Sequence, residues 1–363
     1  MTQSRSPRIA GKVRAARLTD LAALGELSRL CEDDAAGGRS LGLPVTGSKI
    51  GVFSLFRLPL GAFQPNDLLF VYEEDRRVAG LVRAERESHR DDWTIVELDG
   101  LAGLPGASAG DIRFRLVQQV LRGGQKRGAA HFHVACVDAG GNVELFMQAG
   151  FARYGEERIQ HRDASQPLPE PWSDDRRIKA RIRAATPRDA VALMQLYTAV
   201  TPAPVRRLES FRIPDWERQG THWRVPRSSL APILRFADIE GYVLDSTDGV
   251  GLDGFIQLGV AREEQPHYLR VMGRPETDLR ELIAFGLGDI RARLGKGEQA
   301  RAQANGVIAP VRTYESPLDR RLEEAGFRTI STVTLLMKET LVRVAEPALV
   351  PAGVRPWEVT RGS

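Results

Sequence analysis

The chain repeats itself once, at the scale of a domain. Val13-Arg14-Ala15-Ala16-Arg17-Leu18-Thr19-Asp20-Leu21-Ala22-Ala23-Leu24 is echoed by Ile182-Arg183-Ala184-Ala185-Thr186-Pro187-Arg188-Asp189-Ala190-Val191-Ala192-Leu193, an offset of 169 (182 − 13). Ala149-Gly150-Phe151 returns as Ala325-Gly326-Phe327, an offset of 176 (326 − 150). Matching ends at nearly one offset imply an internal duplication. A repeat this long means two like domains and not the short stacked units of a solenoid. The 363 residues suffice for about two domains. The expected boundaries are 12–162 and 178–341. Between them, 163–177 holds the Pro-rich Gln166-Pro167-Leu168-Pro169-Glu170-Pro171, and a tail, 342–363, carries Pro347, Pro351 and Pro356.

Each half has one order of elements. In the first, Thr19-Asp20 caps a helix bearing Leu21, Leu24, Leu27, Leu30 and Cys31. Strands at 68–73 and 78–85 flank the polar turn Glu74-Asp75-Arg76-Arg77. An alternating strand, Trp93 to Leu101, meets a Gly/Pro/Ala/Ser break from Gly103 to Gly110. A helix follows from Asp111 to Lys126, with Ile112, Leu116, Val117, Val120 and Leu121 at helical spacing for a core face. A strand at 129–137 and a short helix from Asn142 lead into Ala149-Gly150-Phe151. The second half offers a hairpin around Asp245 to Asp253, a strand from His267 to Met272 and a helix from Asp278 to Leu294. The core face of that helix is Leu279, Leu282, Ile283, Leu287 and Ile290. A strand from Gln299 to Val307, a helix from Ser316 to Glu324 and a strand from Phe327 to Met337 complete it.

This order, closed by Asn142-Val143-Glu144-Leu145-Phe146-Met147-Gln148-Ala149-Gly150-Phe151, resembles the GNAT superfamily of N-acetyltransferases. The resemblance implies two mixed α/β domains, each a mixed, mostly antiparallel sheet flanked by helices. It also implies transfer of an acetyl or other acyl group from acetyl-CoA (acyl-CoA), as cosubstrate, to an amine. The cofactor would run along Leu101, Ala102 and Gly103, past Gly106, Gly110 and Asp111, to Asn142 and Phe146. Glycines there let the backbone approach a pyrophosphate at a helix N-terminus. The family's basic loop residue is missing. Asp111 instead reads as a helix N-cap, so an ordinary capped turn fits the segment as well. The second-half segment, Gly273-Arg274-Pro275-Glu276-Thr277-Asp278, has one glycine and two acids and resembles a cofactor loop less.

The family's base is often a carboxylate on the strand before the loop, which points to Glu97, with Asp99 on the same strand face. Ordinary polar positions on an exposed face are the other reading. Counting back from Pro105 and Pro275 makes His267 the second-half counterpart of Glu97. The family's acid, a tyrosine four residues before Gly-Phe, is replaced by Phe146 and Leu322, which cannot donate a proton. Tyr154 and Tyr314 lie nearby in sequence without a defined place. His131-Phe132-His133 puts two histidines on one strand face, but with no third ligand at metal spacing no metal is expected.

Basic and acidic residues are interspersed, with a net charge of +4, so neither a nucleic-acid arm nor a polybasic membrane patch is expected. Cys31 and Cys136 are too few for a disulfide framework. Met1 to Arg17 has no apolar core, so the expected setting is cytoplasmic. Two readings follow. One is an acyltransferase whose first half binds coenzyme A and whose acceptor is a small-molecule amine or peptide, the protein being a monomer or homodimer. The other is a non-catalytic tandem protein that binds a small ligand or protein partner. Segments 32–64 and 202–230 should overlie the acceptor site under the family layout.

Overall fold

The computed structural model describes residues 11–31, 41–42, 67–87, 89–102, 106–169, 181–218, 223, 225–261, 265–294 and 306–340. In the first half these form β1 (Lys12–Ala15), α1 (Leu21–Leu30), β2 (Asp67–Glu74), β3 (Arg77–Arg86) and β4 (Asp92–Gly100). After them come α2 (Ala109–Gln125), β5 (His131–Val137), α3 (Asn142–Gln148) and β6 (Ala152–Arg162). The second half repeats the series as β7 (Ile182–Ala184), α4 (Ala190–Val200), α5 (Ala203–Glu209), α6 (Ile213–Trp216), β8 (Phe236–Asp245) and β9 (Leu252–Ala261). It continues with β10 (His267–Gly273), α7 (Arg280–Arg293), β11 (Val307–Arg312), α8 (Ser316–Glu324) and β12 (Arg328–Glu339). The strand expected at 299–307 is displaced: β11 starts at Val307, and 299–305 lie outside the described residues.

Local chemistry explains the entries and turns. Arg14 grips Asp20 at 2.7 and 2.8 Å while the Asp20 carboxylate accepts from the Arg17 N–H, fixing the turn into α1. Arg183 and Asp189 repeat that grip in the second half at 2.9 and 2.7 Å, so the duplicated sequence encodes a duplicated helix entry. The β2–β3 hairpin turns on Asp75 and Arg76 at φ 49° and 64°, the left-handed backbone that suits a two-residue hairpin.

The twelve strands among the described residues form one sheet, in the order β1-β2-β3-β4-β5-β12-β6-β11-β10-β9-β8-β7. The halves exchange their last strands. β12 pairs with β5, β6 pairs with β11, and β6 and β12 run antiparallel to each other at the centre. In sequence the repeats run β1 to β6 and β7 to β12, whereas each hydrogen-bonded half-sheet borrows its sixth strand from the other repeat. Leu336, on the last strand, is fully buried in the core of the first half with Ile112, Leu116 and Phe146. The described part of the expected linker is docked. The Arg162 guanidinium donates to the Gln166 and Pro167 carbonyls, and Leu168 is buried against α7.

Leu336→Ala should cost about 2–5 kcal/mol, the range for truncating a buried leucine. Urea denaturation measures it, and amide exchange should rise along β5, in the other repeat.

Candidate active site

The two parallel strand pairs, β4–β5 and β10–β11, are where each half opens. Asp92–Ile95 pair with His131–Val134, and beyond them no pairing continues, so Val96–Gly100 part from β5 and leave a fork. On the other side of β4, Arg83 faces Glu97 while Ala84 faces Ile95. Val96 is therefore an extra residue, a bulge at the fork's apex. The β10–β11 fork opens sooner, after His267↔Val307 and Tyr268↔Ile308, and the β9–β10 ladder runs from Tyr268 to Gly273 without a bulge.

Leu98 packs under α2, so Glu97 and Asp99 face the opposite side, where Leu81, opposite Asp99, packs with α1. The expectation of an exposed strand face is corrected: Glu97 and Asp99 are 1% and 0% exposed. Although burial opposes its charge, Glu85, Asp67 and Glu97 hold the Arg83 guanidinium above its usual pKa.

His267 is not the counterpart of Glu97. Gly100 pairs with Gly80, and Gly273 with Gly254. Counted from those glycines, the residue across from Gln257 is Arg270, which takes the place of Glu97 across from Arg83. Counting from the prolines missed the loop lengths: Pro105 lies five residues after Gly100, whereas Pro275 lies two after Gly273, and that difference of three separates His267 from Arg270. His267 serves its own hairpin, its Nδ1 accepting from the Ala261 N–H at 3.1 Å. Arg270 is buried and forms two hydrogen bonds, 2.7 and 2.9 Å, with Glu315. Since Glu315 follows β11, this ion pair laces the second fork shut.

The first-half loop is only partly described, and Gly103 lies outside it. Leu101 donates its N–H to the Ala79 carbonyl at 2.9 Å, and Ala102 is exposed. The N-cap of α2 is Ser108, not Asp111. Ser108 Oγ accepts from the Asp111 N–H at 3.1 Å, and the Asp111 carboxylate, third in the helix, accepts back from the Ser108 hydroxyl and N–H. Those bonds hold Asp111 below the usual carboxylate range. Gly106 sits so close to Glu74 that an added Cβ would lie 1.9 Å from its carboxylate, whereas at Gly110 it would meet only Ser108 Oγ, in ordinary contact at 3.8 Å. Arg113 and Arg115 on α2 supply positive charge that the loop lacks, and Arg113 donates to Asn142 Oδ1 at 2.9 Å and the Gly140 carbonyl at 3.0 Å. Asn142 is fully buried in this contact. Phe146 is fully buried too, 5.3 Å edge-on from Phe151 within the core.

Below the fork's apex the second half reaches across the sheet. Arg90, between β3 and β4, donates to Asp92 at 2.8 Å and to Asp215 of α6 at 2.8 Å. Arg227 donates to Glu87 and, at 3.1 Å, to Asp92. Arg312 of β11 joins Glu209 at 2.8 Å and Glu157 of β6 at 3.0 Å. The described part of segment 202–230 thus reaches the strands of the first half, while segment 32–64, apart from 41–42, lies outside the described residues. A narrow, mainly apolar cleft remains where the two meet. Thr94–Val96 and His133–Ala135 form one wall, and Tyr154, Arg227–Ser229 and Ile233 the other.

The two histidines of the strand motif diverge. His131 Nδ1 lies 2.8 Å from Asp92 Oδ1, and that bond raises its pKa. His133 is 3% exposed, and neither ring nitrogen has a hydrogen-bond partner among the described residues. Burial, with Arg227 alongside, holds it well below the usual imidazole range, so it is neutral. Although burial opposes its charge, the His131 bond and the guanidinium groups of Arg227 and Arg90 keep Asp92 below the usual carboxylate range. Among the described residues no group of three or more His, Cys, Asp or Glu is placed to hold a metal. Nor is any described helix long and apolar enough to cross a membrane.

Two solved structures share this fold over nearly the whole chain. A GCN5-related N-acetyltransferase from Sphaerobacter thermophilus superposes with a TM-score of 0.52 at 15% identity, covering 91% of this chain and 95% of its own. A tandem GNAT protein from the clavulanic acid biosynthesis pathway superposes with a TM-score of 0.50 at 14% identity, covering 93% and 100%. No protein-family model and no curated protein matches the sequence. The chain has a tandem GNAT-like fold.

Asp92→Asn should cost about 3–5 kcal/mol at pH 7 by urea denaturation, because it leaves Arg90 and Arg227 with less buried counter-charge. The two histidines give slopes of opposite sign. The raised pKa of His131 contributes stability that is full below its unfolded value and is lost as pH rises through the folded one. For His133, kept neutral in the fold, the unfolded chain binds the extra proton, so stability falls as pH drops below about 6.5. His133→Phe should remove the acid-side loss alone.

Proposed function

We propose that the protein transfers an acyl group from acyl-coenzyme A to an amine, and that the first half is the one that binds the thioester. The observation that carries this reading is the contrast between the forks. The first is open and bulged at Val96, whereas Arg270 and Glu315 span the second with a buried ion pair. Removing one partner of such a pair costs several kcal/mol, so a ligand arm entering the second fork works against a stable obstacle.

In the first half the orphan N–H groups at the start of α2 favour a phosphate, helped by Arg115 and opposed by Asp111 and Glu74. From Gly100 to Ile95 is five residues, roughly 16 Å of strand, so a long flexible arm anchored at α2 reaches the fork's apex. Leu101, Ala102, Gly103, Gly106 and Gly110 would line its entry, with Asn142 held ready by Arg113. Glu97, opposite Arg83, and Asp99, opposite Leu81, would bring carboxylates to the acceptor face of the fork. Phe146 supports the fork by packing.

The second reading, a non-catalytic ligand-binding protein, is favoured by the absence of a tyrosine at Phe146 and Leu322. Thermal unfolding with acetyl-CoA separates the two. A hundredfold excess over the dissociation constant should stabilise the native protein by about 2.7 kcal/mol. Gly110→Glu, which adds a charge where there is room for it, should abolish that gain. No shift in the unsubstituted protein would favour the second reading.

A further inference from the structure

The cleft at the apex of the first fork contains a group that the fold leaves unused. His133 is buried and neutral, its two ring nitrogens make no hydrogen bond among the described residues (Asp92 Oδ2 is 3.8 Å from Nε2), and it stands directly across from Thr94, one residue before the strands part. Neighbouring side chains each make at least one hydrogen bond. His131 binds Asp92, Ser229 binds Glu157, and Ser228 accepts from the Tyr268 hydroxyl at 2.9 Å. A buried imidazole with no partner costs stability. Its place at the end of the path from α2 gives it a chemical use.

We infer that this cleft, closed by the second half's Arg227–Ile233 segment, takes a primary amine on a short apolar stem, and that His133 accepts the proton the amine gives up. The inference rests on the acyl-transfer reading. The stem lies against Val96, Ile233 and Leu335. The amine nitrogen bonds to the thioester carbonyl carbon and the carbon–sulfur bond breaks. The nitrogen's proton passes to His133 and from there to the departing thiolate, giving amide and thiol. A carboxylate on the acceptor is disfavoured, because Glu87 and Asp92 already hold Arg227, and Glu209 and Glu157 already hold Arg312. Facing His133 are Asp92 from β4, His131 from its own strand, Tyr154 from β6, Arg227, and Arg90 beyond Asp92. Burial and the arginines keep the ring unprotonated but weaken it as a base, and Asp92, with Oδ2 3.8 Å from Nε2, favours the imidazolium formed when it accepts.

The test uses the intact protein with n-butylamine, and 4-aminobutyrate as the same stem bearing a carboxylate. In histidine-labelled NMR without acetyl-CoA, n-butylamine should shift the His133 ring signals and 4-aminobutyrate should not. In thiol release from acetyl-CoA, n-butylamine should react at least about tenfold faster than 4-aminobutyrate. His133→Gln should lower kcat by about a hundredfold or more and leave the KM for acetyl-CoA unchanged, as expected on loss of a proton acceptor. Ile233→Asp should raise the KM for n-butylamine, with calorimetric binding of acetyl-CoA intact. An unshifted His133, equal use of the two amines, or an unchanged kcat in His133→Gln would each overturn the inference and leave acyl transfer standing. If calorimetry finds no acetyl-CoA binding, the acyl-transfer reading falls and the proton role falls with it, even where n-butylamine shifts His133.

Discussion

The pairing of β6 with β12 is the constraint on which everything else rests. Two repeats that each kept their own last strand would present edge strands to solvent and meet through side chains alone. By exchanging them, the chain makes one sheet of twelve strands, and the first half's core includes Leu336 from the last described strand. The exchange also fixes the second half at the height where Arg227 and Arg90 meet Glu87, Asp92 and Asp215. The cleft around His133 exists because the sheet is continuous there.

Duplication followed by divergence is visible at single positions. The helix entries remain alike, with Arg14–Asp20 matched by Arg183–Asp189. The forks do not. One bulge residue, Val96, and one exchange of sign, Glu97 against Arg270, separate an open fork from one held shut by Glu315. The locked fork still has work: Arg312, at the end of β11, binds Glu157 of the other repeat and helps hold the interface.

Much of the fold was legible because its signals are local. Apolar spacing marked α2 and α7, Gly150-Phe151 and Gly326-Phe327 marked the final strands, and the duplication marked the two-part plan. The strand exchange was not legible, because β6 and β12 have the same local pattern whichever neighbour they pair with. The site was half legible. The positions of Glu97 and Asp99 on one strand face were readable, but their burial depends on tertiary packing on the side of the sheet where Leu81 meets α1. The bulge escaped because one extra residue has no sequence signature, and a loop three residues longer before Pro105 than before Pro275 put His267 where Arg270 stands. Ser108 as the cap of α2 had a signal, a serine three residues before an acid. His133 was seen as part of a weak metal pair. Only the tertiary structure shows that His131 is hydrogen-bonded to Asp92, whereas His133 has no hydrogen bond among the described residues.

The exchange also orders events during synthesis. When β6 leaves the ribosome, the first repeat has all its own sequence but not the sheet neighbour of β5, which is β12. Between Arg162 and Glu339 lie 177 residues (339 − 162), roughly 9–35 s of translation at ordinary rates. For that time β5 has an open edge and the first core lacks Leu336. A chain built this way completes its first domain only when its second is nearly finished, so an interrupted transcript yields a half-sheet with an adhesive edge and no small working domain.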